Sequence, residues 1–101
     1  MSSFNYRCYK LVSLIPRGKI STYKEIAVAL NTCAFQAVGC AMANNPNLLV
    51  VPCHRVIKSN GSVGEYALGA KNKTNLLMAE GLPIKNGMVV NYKKFLYSFY
   101  G

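Results

Sequence analysis

The chain has 101 residues, 51% of them hydrophobic, which suits one compact domain and excludes disorder. Twelve Lys and Arg against three acidic residues, all of them Glu, leave a net charge of +9; that balance points to a polyanion, nucleic acid first, although a merely basic surface has the same signature. No apolar run is long enough to cross a bilayer, and the N-terminus lacks the basic and apolar regions of a signal peptide, so a cytoplasmic protein with no membrane partner is expected.

Phe4, Cys8, Leu11, Val12 and Ile15 recur at helical spacing and predict an amphipathic helix over roughly 4–15, stopped by Pro16-Arg17-Gly18. Thr22-Tyr23-Lys24-Glu25 fits a capping box, with a hydroxyl N-cap and a Glu three residues on. The helix it opens runs through Leu30 and buries Ile26, Ala27 and Leu30, and Asn31-Thr32 breaks it. A third helix follows over 34–43 and ends at Asn44-Asn45-Pro46. Two short helices behind a longer one have the shape of a helix-turn-helix, which many small helical domains share. The third helix is unusual for a DNA reader: no basic residue lies between Lys24 and Arg55, and Ala34, Ala37, Gly39, Ala41 and Ala43 make it small. Small residues permit close backbone approach, to a nucleic-acid groove or to another helix, and spacing does not decide between them.

Leu48-Leu49-Val50-Val51 reads as a buried strand or extended segment, turned by Pro52. Cys53 then stands directly beside His54, the only histidine in the chain. A thiolate is the reactive form of cysteine, and a nearby imidazole is a common means of generating it. Adjacent residues of an extended segment point to opposite sides, so a bridging water is expected between thiol and imidazole. The other cysteines, Cys8, Cys33 and Cys40, form no CxxC pair; all four are read as thiols, and neither metal nor cofactor is expected. Beyond the Cys-His pair, Ser59-Asn60-Gly61 predicts a tight turn, as in a winged variant, and Gly64-Glu65-Tyr66-Ala67-Leu68-Gly69 a glycine-hinged loop. A helix over about 70–80 is capped by Gly81, and the tail reads as a strand near Met88-Val89-Val90 followed by a short helix.

Pro52-Cys53-His54-Arg55-Val56 resembles the active-site signature of the O6-alkylguanine-DNA alkyltransferases, the methylated-DNA–protein-cysteine methyltransferases. Four further blocks extend the resemblance in family order: Pro16-x-Gly18-x-x-Ser21-x-Tyr23, Ala37-Val38-Gly39-x-Ala41-Met42 with Asn45-Pro46, Gly64-x-Tyr66, and Glu80-Gly81. The resemblance implies a mainly α, winged helix-turn-helix-like single domain with a short β hairpin. Residues 1–101 would be the catalytic and DNA-binding domain, without the separate N-terminal domain of many members. It implies irreversible, stoichiometric transfer of the alkyl group from O6-alkylguanine to Cys53, after the base is flipped out from the minor groove. The partner is double-stranded DNA, and a monomer is expected.

Carried over residue by residue, His54 acts as base through water, Glu80 holds its imidazole and Tyr23 supplies a proton to the guanine ring. Tyr66 lines the alkyl pocket, the carbonyls of Cys53 and Val56 hold the base's amino group, and Asn45 links the helix-turn-helix to the active-site segment. Met42 and Gly64 join the substrate site, and Gln36, Ala37, Gly39, Arg55 and Lys73 the DNA-binding surface. Arg7, Lys10, Arg17, Lys19, Lys58 and Lys71 are further phosphate-contact candidates. Gln36 departs from the family, which usually has an arginine there to enter the base stack. Tyr92, Phe95, Tyr97, Phe99 and Tyr100 lie outside the resemblance and are expected to pack, with nucleic-acid stacking the alternative.

Three rival readings compete. Alkyltransferase-like lesion-binding proteins share the fold but typically carry tryptophan at the nucleophile position, and this chain has no Trp. A winged-helix transcription factor would need base-reading side chains on the third helix, which that helix lacks. A Cys-His hydrolase keeps the two residues far apart in sequence.

Overall fold

Helix α1 (Ser3–Val12) buries Cys8, Tyr9 and Val12 on one face, and Ser13 and Leu14 continue it as a loosening turn. The computed structural model describes residues 3–47, 50–64, 66 and 68–99. Leu48 and Leu49 of the expected strand, Glu65 and Ala67 of the expected loop, and Tyr100 of the tail lie outside the described residues. After α1, Ile15 is buried and Pro16 to Gly18 turn the chain, with Lys19 N–H donating to the Pro16 carbonyl at 3.1 Å. A two-residue strand, β1 (Ser21–Thr22), leads directly into α2 (Tyr23–Ala29). The Thr22 hydroxyl accepts from the Glu25 N–H at 3.0 Å, satisfying one of the amides a helix start leaves unpaired. Helix α3 (Phe35–Ala43) packs against both α1 and α2. It buries Val38, Ala41 and Met42, and the buried Tyr9 hydroxyl donates to the Ala41 carbonyl at 2.8 Å, pinning α1 to α3.

The expected strand before the Cys-His pair is corrected by the structure. Val50 is exposed, at 64%, in a turn, and Val51 is buried at a bend. Side-chain acceptors explain why: Asn45 Oδ1 accepts from Asn47 N–H at 2.9 Å, and Asn47 Oδ1 from Val50 N–H at 3.3 Å. These local bonds turn the backbone away from a ladder despite the β-branched composition. Cys53–Arg55 is likewise a single 3-10 turn rather than an extended exit from a strand.

The chain then enters β2 (Val56–Ile57), which pairs in parallel with β1, Ser21 opposite Val56 and Thr22 opposite Ile57. This short ladder divides two hydrophobic clusters. One gathers α1, α2, α3, Cys53 and Val56; the other gathers Ile20, Ile57, Val63, Leu77, Leu82 and Val89. The candidate nucleophile belongs to the first cluster, on the turn that leads into β2. Helix α4 (Ala70–Ala79) ends as expected before Gly81, whose φ of +92° is the left-handed stop.

The antiparallel hairpin is displaced from its expected place. The turn at Ser59-Asn60-Gly61 exists, but the hairpin is β3 (Ile84–Lys85) with β4 (Met88–Val89). Asn86 and Gly87 turn it at φ of +53° and +75°, the pair of left-handed residues that an Asn-Gly turn supplies at low cost. The earlier turn docks on it through Val63 N–H to the Gly87 carbonyl and Val89 N–H to the Gly61 carbonyl, both at 2.9 Å. Tyr97 and Phe99 pack on the first cluster, Tyr92 and Phe95 on the second. Among the described residues, no helix is long and apolar enough to cross a membrane.

Candidate active site

The turn Cys53–Arg55 exists because Pro52 starts it with a fixed φ and its own carbonyl accepts from Arg55 N–H at 2.9 Å. Cys53 N–H donates to the Val51 carbonyl at 2.8 Å, and Asn45 Nδ2 donates to the same carbonyl at 2.8 Å. Asn45 thus ties the end of α3 to the Cys53 segment. Cys53 is buried, 4% exposed, yet it lines a cavity of about 760 Å³. Tyr23, Gln36, Gly39, Met42 and Tyr66, all site candidates from sequence, line it too, joined by Cys40, Ala43 and Lys58.

Behind the cavity wall stands a charge network. His54 Nε2 lies 3.0 Å from Glu80 Oε2. Arg55 clasps the same carboxylate with Nε to Oε1 at 2.9 Å and a terminal nitrogen to Oε2 at 2.7 Å, while its other terminal nitrogen donates to the Ile15 carbonyl at 2.8 Å. Burial raises the Glu80 carboxyl, but hydrogen bonds from Arg55 and His54 overcome it and hold the group down at about 2. Burial lowers His54 below its ordinary value, with the Glu80 hydrogen bond working the other way. A neutral imidazole facing a carboxylate through Nε2 carries its hydrogen there, which leaves Nδ1 as the acceptor nitrogen. The Tyr66 ring stands edge-on to His54, centroids 6.4 Å apart.

Two residues expected at the DNA surface are elsewhere. Arg55 is committed to Glu80 and Ile15, so it braces the His54–Glu80 pair instead of reaching outward. Lys73 is 1% exposed, its Nζ donating to the Val56 carbonyl at 2.7 Å and lying 5.7 Å from the Tyr23 ring centroid. Burial lowers its ammonium to about 8, with Cys53 opposing the shift and Lys58 adding to it. Arg7 and Arg17 are exposed, and each also donates to a carbonyl at a helix end, Leu30 at 3.4 Å and Ala79 at 2.9 Å. The two carbonyls assigned to the base's amino group are both engaged already, Cys53 O by Val56 N–H and Val56 O by Lys73. Each keeps a second lone pair for a further donor. Val56 itself is fully buried, and Gly64 lies beside the Lys58 stem.

On α3, Gln36 and Cys40 are exposed, Ala37 and Gly39 are half-buried, and a Cβ built on Gly39 meets nothing within 4 Å. The small residues are therefore not all needed for helix packing; Ala41 packs, while Gly39 faces open space. Among the described residues, no three His, Cys, Asp or Glu side chains gather as a metal site.

A family model described as "6-O-methylguanine DNA methyltransferase, DNA binding domain" matches residues 3–82. The chain belongs to that family. A methylated-DNA–protein-cysteine methyltransferase of Saccharolobus islandicus is 49% identical over 81 residues, covering 80% of this chain and 52% of its own length. The chain thus spans about half the length of the curated relatives it matches. Among solved structures, S. pombe Atl1 in complex with damaged DNA containing O6-carboxymethylguanine superposes with a TM-score of 0.85 at 31% identity, covering 97% of both chains. Mycobacterium tuberculosis OGT in complex with DNA gives 0.77 at 38% identity, covering 79% of this chain and 50% of its own.

Sequence reasoning misses the inward Lys73 and the Arg55 clamp. Neither has a local signal: Arg55 and Glu80 are separated by 25 residues, and Lys73 lies on a helix whose face only packing reveals.

Proposed function

We propose that this domain repairs O6-alkylguanine in double-stranded DNA by irreversible transfer of the alkyl group to Cys53. The observation that carries the proposal is Cys53 lining an open cavity while its neighbour His54 is held by Glu80 at 3.0 Å. In this reading a single copy approaches the minor groove with α3, and the damaged nucleotide flips into the cavity past Gln36. His54 Nδ1 takes the thiol proton through a water, and the Cys53 sulfur displaces the alkyl carbon from O6. The electron pair departs into the guanine ring, which Tyr23 protonates. Tyr66 and Met42 confine the alkyl group, and the remaining lone pairs of the Cys53 and Val56 carbonyls receive the base's amino group. Relatives that carry the transferase name, and neighbours bound to DNA, support this reading.

A second reading, lesion binding without repair, is raised by the superposition on Atl1 in complex with damaged DNA, but Cys53 and the transferase names of the sequence relatives support repair over it. A duplex holding one O6-methylguanine separates the two. Hydrolysis of the DNA to nucleosides after incubation should show guanine restored in proportion to protein added, with a plateau at one per molecule and none for Cys53→Ser. Tight binding with the lesion left intact would assign the domain to lesion sensing.

A further inference from the structure

The chain has four phenylalanines, and three of them, Phe4, Phe95 and Phe99, pack against the two hydrophobic clusters. Phe35 is 43% exposed at the first position of α3, on a tip where Cys33, Ala34 and Gln36 are exposed with it. A ring left in water forgoes the burial that the other three obtain. Among the described residues the other exposed aromatic is Tyr6 on α1, and the Lys10 ammonium lies 5.5 Å from its ring centroid. Helical spacing fixes the direction of Phe35. At about 100° per residue it falls between Met42 and Gly39 around the axis, and both of those line the cavity with Cys53. A helical side chain leans toward the N-terminus, so the ring projects past the start of α3, beside Gln36 at the cavity rim. One turn along the same stripe, Gly39 leaves room next to it, since a Cβ built there meets nothing within 4 Å.

A nucleotide that flips into the cavity leaves the faces of its neighbouring bases bare, and that lost stacking opposes flipping. Gln36 can hydrogen-bond the orphaned partner base, but one amide covers little of a base face. Apolar side chains that enter a minor groove wedge between base steps, and phenylalanine is among those used. Resting on the transfer reading above, we propose that Phe35 is the stacking wedge of this domain. Its ring occupies the base step beside the flipped nucleotide and keeps that nucleotide from returning, while Gln36 meets the unpaired base. Phe35 is thus a positioning residue, which touches no reacting atom and acts by raising the population of the flipped state. The ring is uncharged, so it displaces no counterion and its contribution is independent of salt.

The chain has no tryptophan, so Phe35→Trp supplies a single reporter whose emission is quenched when the indole stacks between bases. Binding is measured over a range of salt on a duplex carrying one O6-methylguanine. Every variant is made in a Cys53→Ser parent, so that the lesion stays intact. Phe35→Ala should weaken binding about tenfold, the scale of one base–aromatic stack, with the slope of affinity against salt unchanged. Phe35→Trp should bind as tightly as the parent and lose most of its emission on the lesion duplex. Thermal melting of each variant shows that it is folded, and the Trp readout stands even where Phe35→Ala does not fold. Parent-like binding by folded Phe35→Ala, or undiminished emission from bound Phe35→Trp, would overturn this inference and leave the transfer reading standing. Failure of the parent itself to bind the lesion duplex would overturn the transfer reading and this inference with it.

Discussion

The turn Cys53–Arg55 and helix α3 face the same cavity, yet they are built in opposite ways. The turn is buried and pinned by backbone bonds at Val51 and Pro52, by Asn45 through the Val51 carbonyl, and by the Arg55–Glu80–His54 network. Helix α3 opens without a side-chain cap, presents Gln36, Gly39, Cys40 and Ala43 to the cavity, and carries no charge. The first region has its chemistry in place before any partner arrives. The second contributes shape, and the charge that attracts a polyanion must come from other parts of the surface.

The contrast is broken most severely at the pinned end. Glu80→Gln removes the charge that supports the imidazolium and allows the amide to donate to Nε2, so that Nδ1 carries the hydrogen. Alkyl transfer should slow by about 10²-fold or more, with lesion binding changed far less. The acid limb of the wild-type rate should lie below 6.5, since burial holds His54 down, and should move lower still in the variant, which loses the Glu80 effect that raises it. An unaltered rate profile would remove Glu80 from the mechanism.

Arg55→Met strips the clamp from a buried carboxylate and should cost about 3–5 kcal/mol in urea unfolding at pH 7. The linkage has a definite sign. Glu80 is depressed from 4.5 to about 2, so its stabilisation is full above 4.5 and is lost as pH falls toward 2. The wild type should lose more stability across that window than Arg55→Met does. Parallel acid curves would contradict the clamp.

At the open end the effects should be smaller. Gln36→Arg adds one cation where the lesion enters, and should tighten DNA binding while steepening its salt dependence by about one counterion. Smaller still, Gly39→Ala should stabilise the fold by about 0.5–1 kcal/mol, because the new Cβ meets open space in a helix interior. If the bare backbone approaches a groove, the same methyl should weaken DNA binding. A variant that is more stable and binds equally well would show that the small surface is not a contact.

How far the sequence could be read follows the same division between local and distant causes. The Thr22 cap, the Gly81 stop and the buried face of α2 are written in neighbouring residues, and the structure has them where the pattern places them. The meeting of His54 with Glu80 came from family resemblance, because nothing in a 26-residue separation announces it. Val50 and Val51 look like a strand by composition, but Asn47 takes both of their amides, Val50 N–H on its Oδ1 and Val51 N–H on its carbonyl. Asn86-Gly87 is as plain a hairpin signal as Asn60-Gly61, and only the tertiary docking of Val63 and Val89 shows which turn carries the paired strands. Net charge misleads at Arg55 and Lys73, since it counts cations without showing that these two are directed inward.

The central claim is that Cys53 accepts an alkyl group from damaged DNA. It is tested most directly by intact-protein mass before and after incubation with duplex DNA carrying one O6-methylguanine, with Cys53→Ala alongside. A gain of one methyl group per molecule, saturating after one turnover and absent from the variant, is the predicted result. An unchanged mass in protein that binds the lesion would contradict the claim.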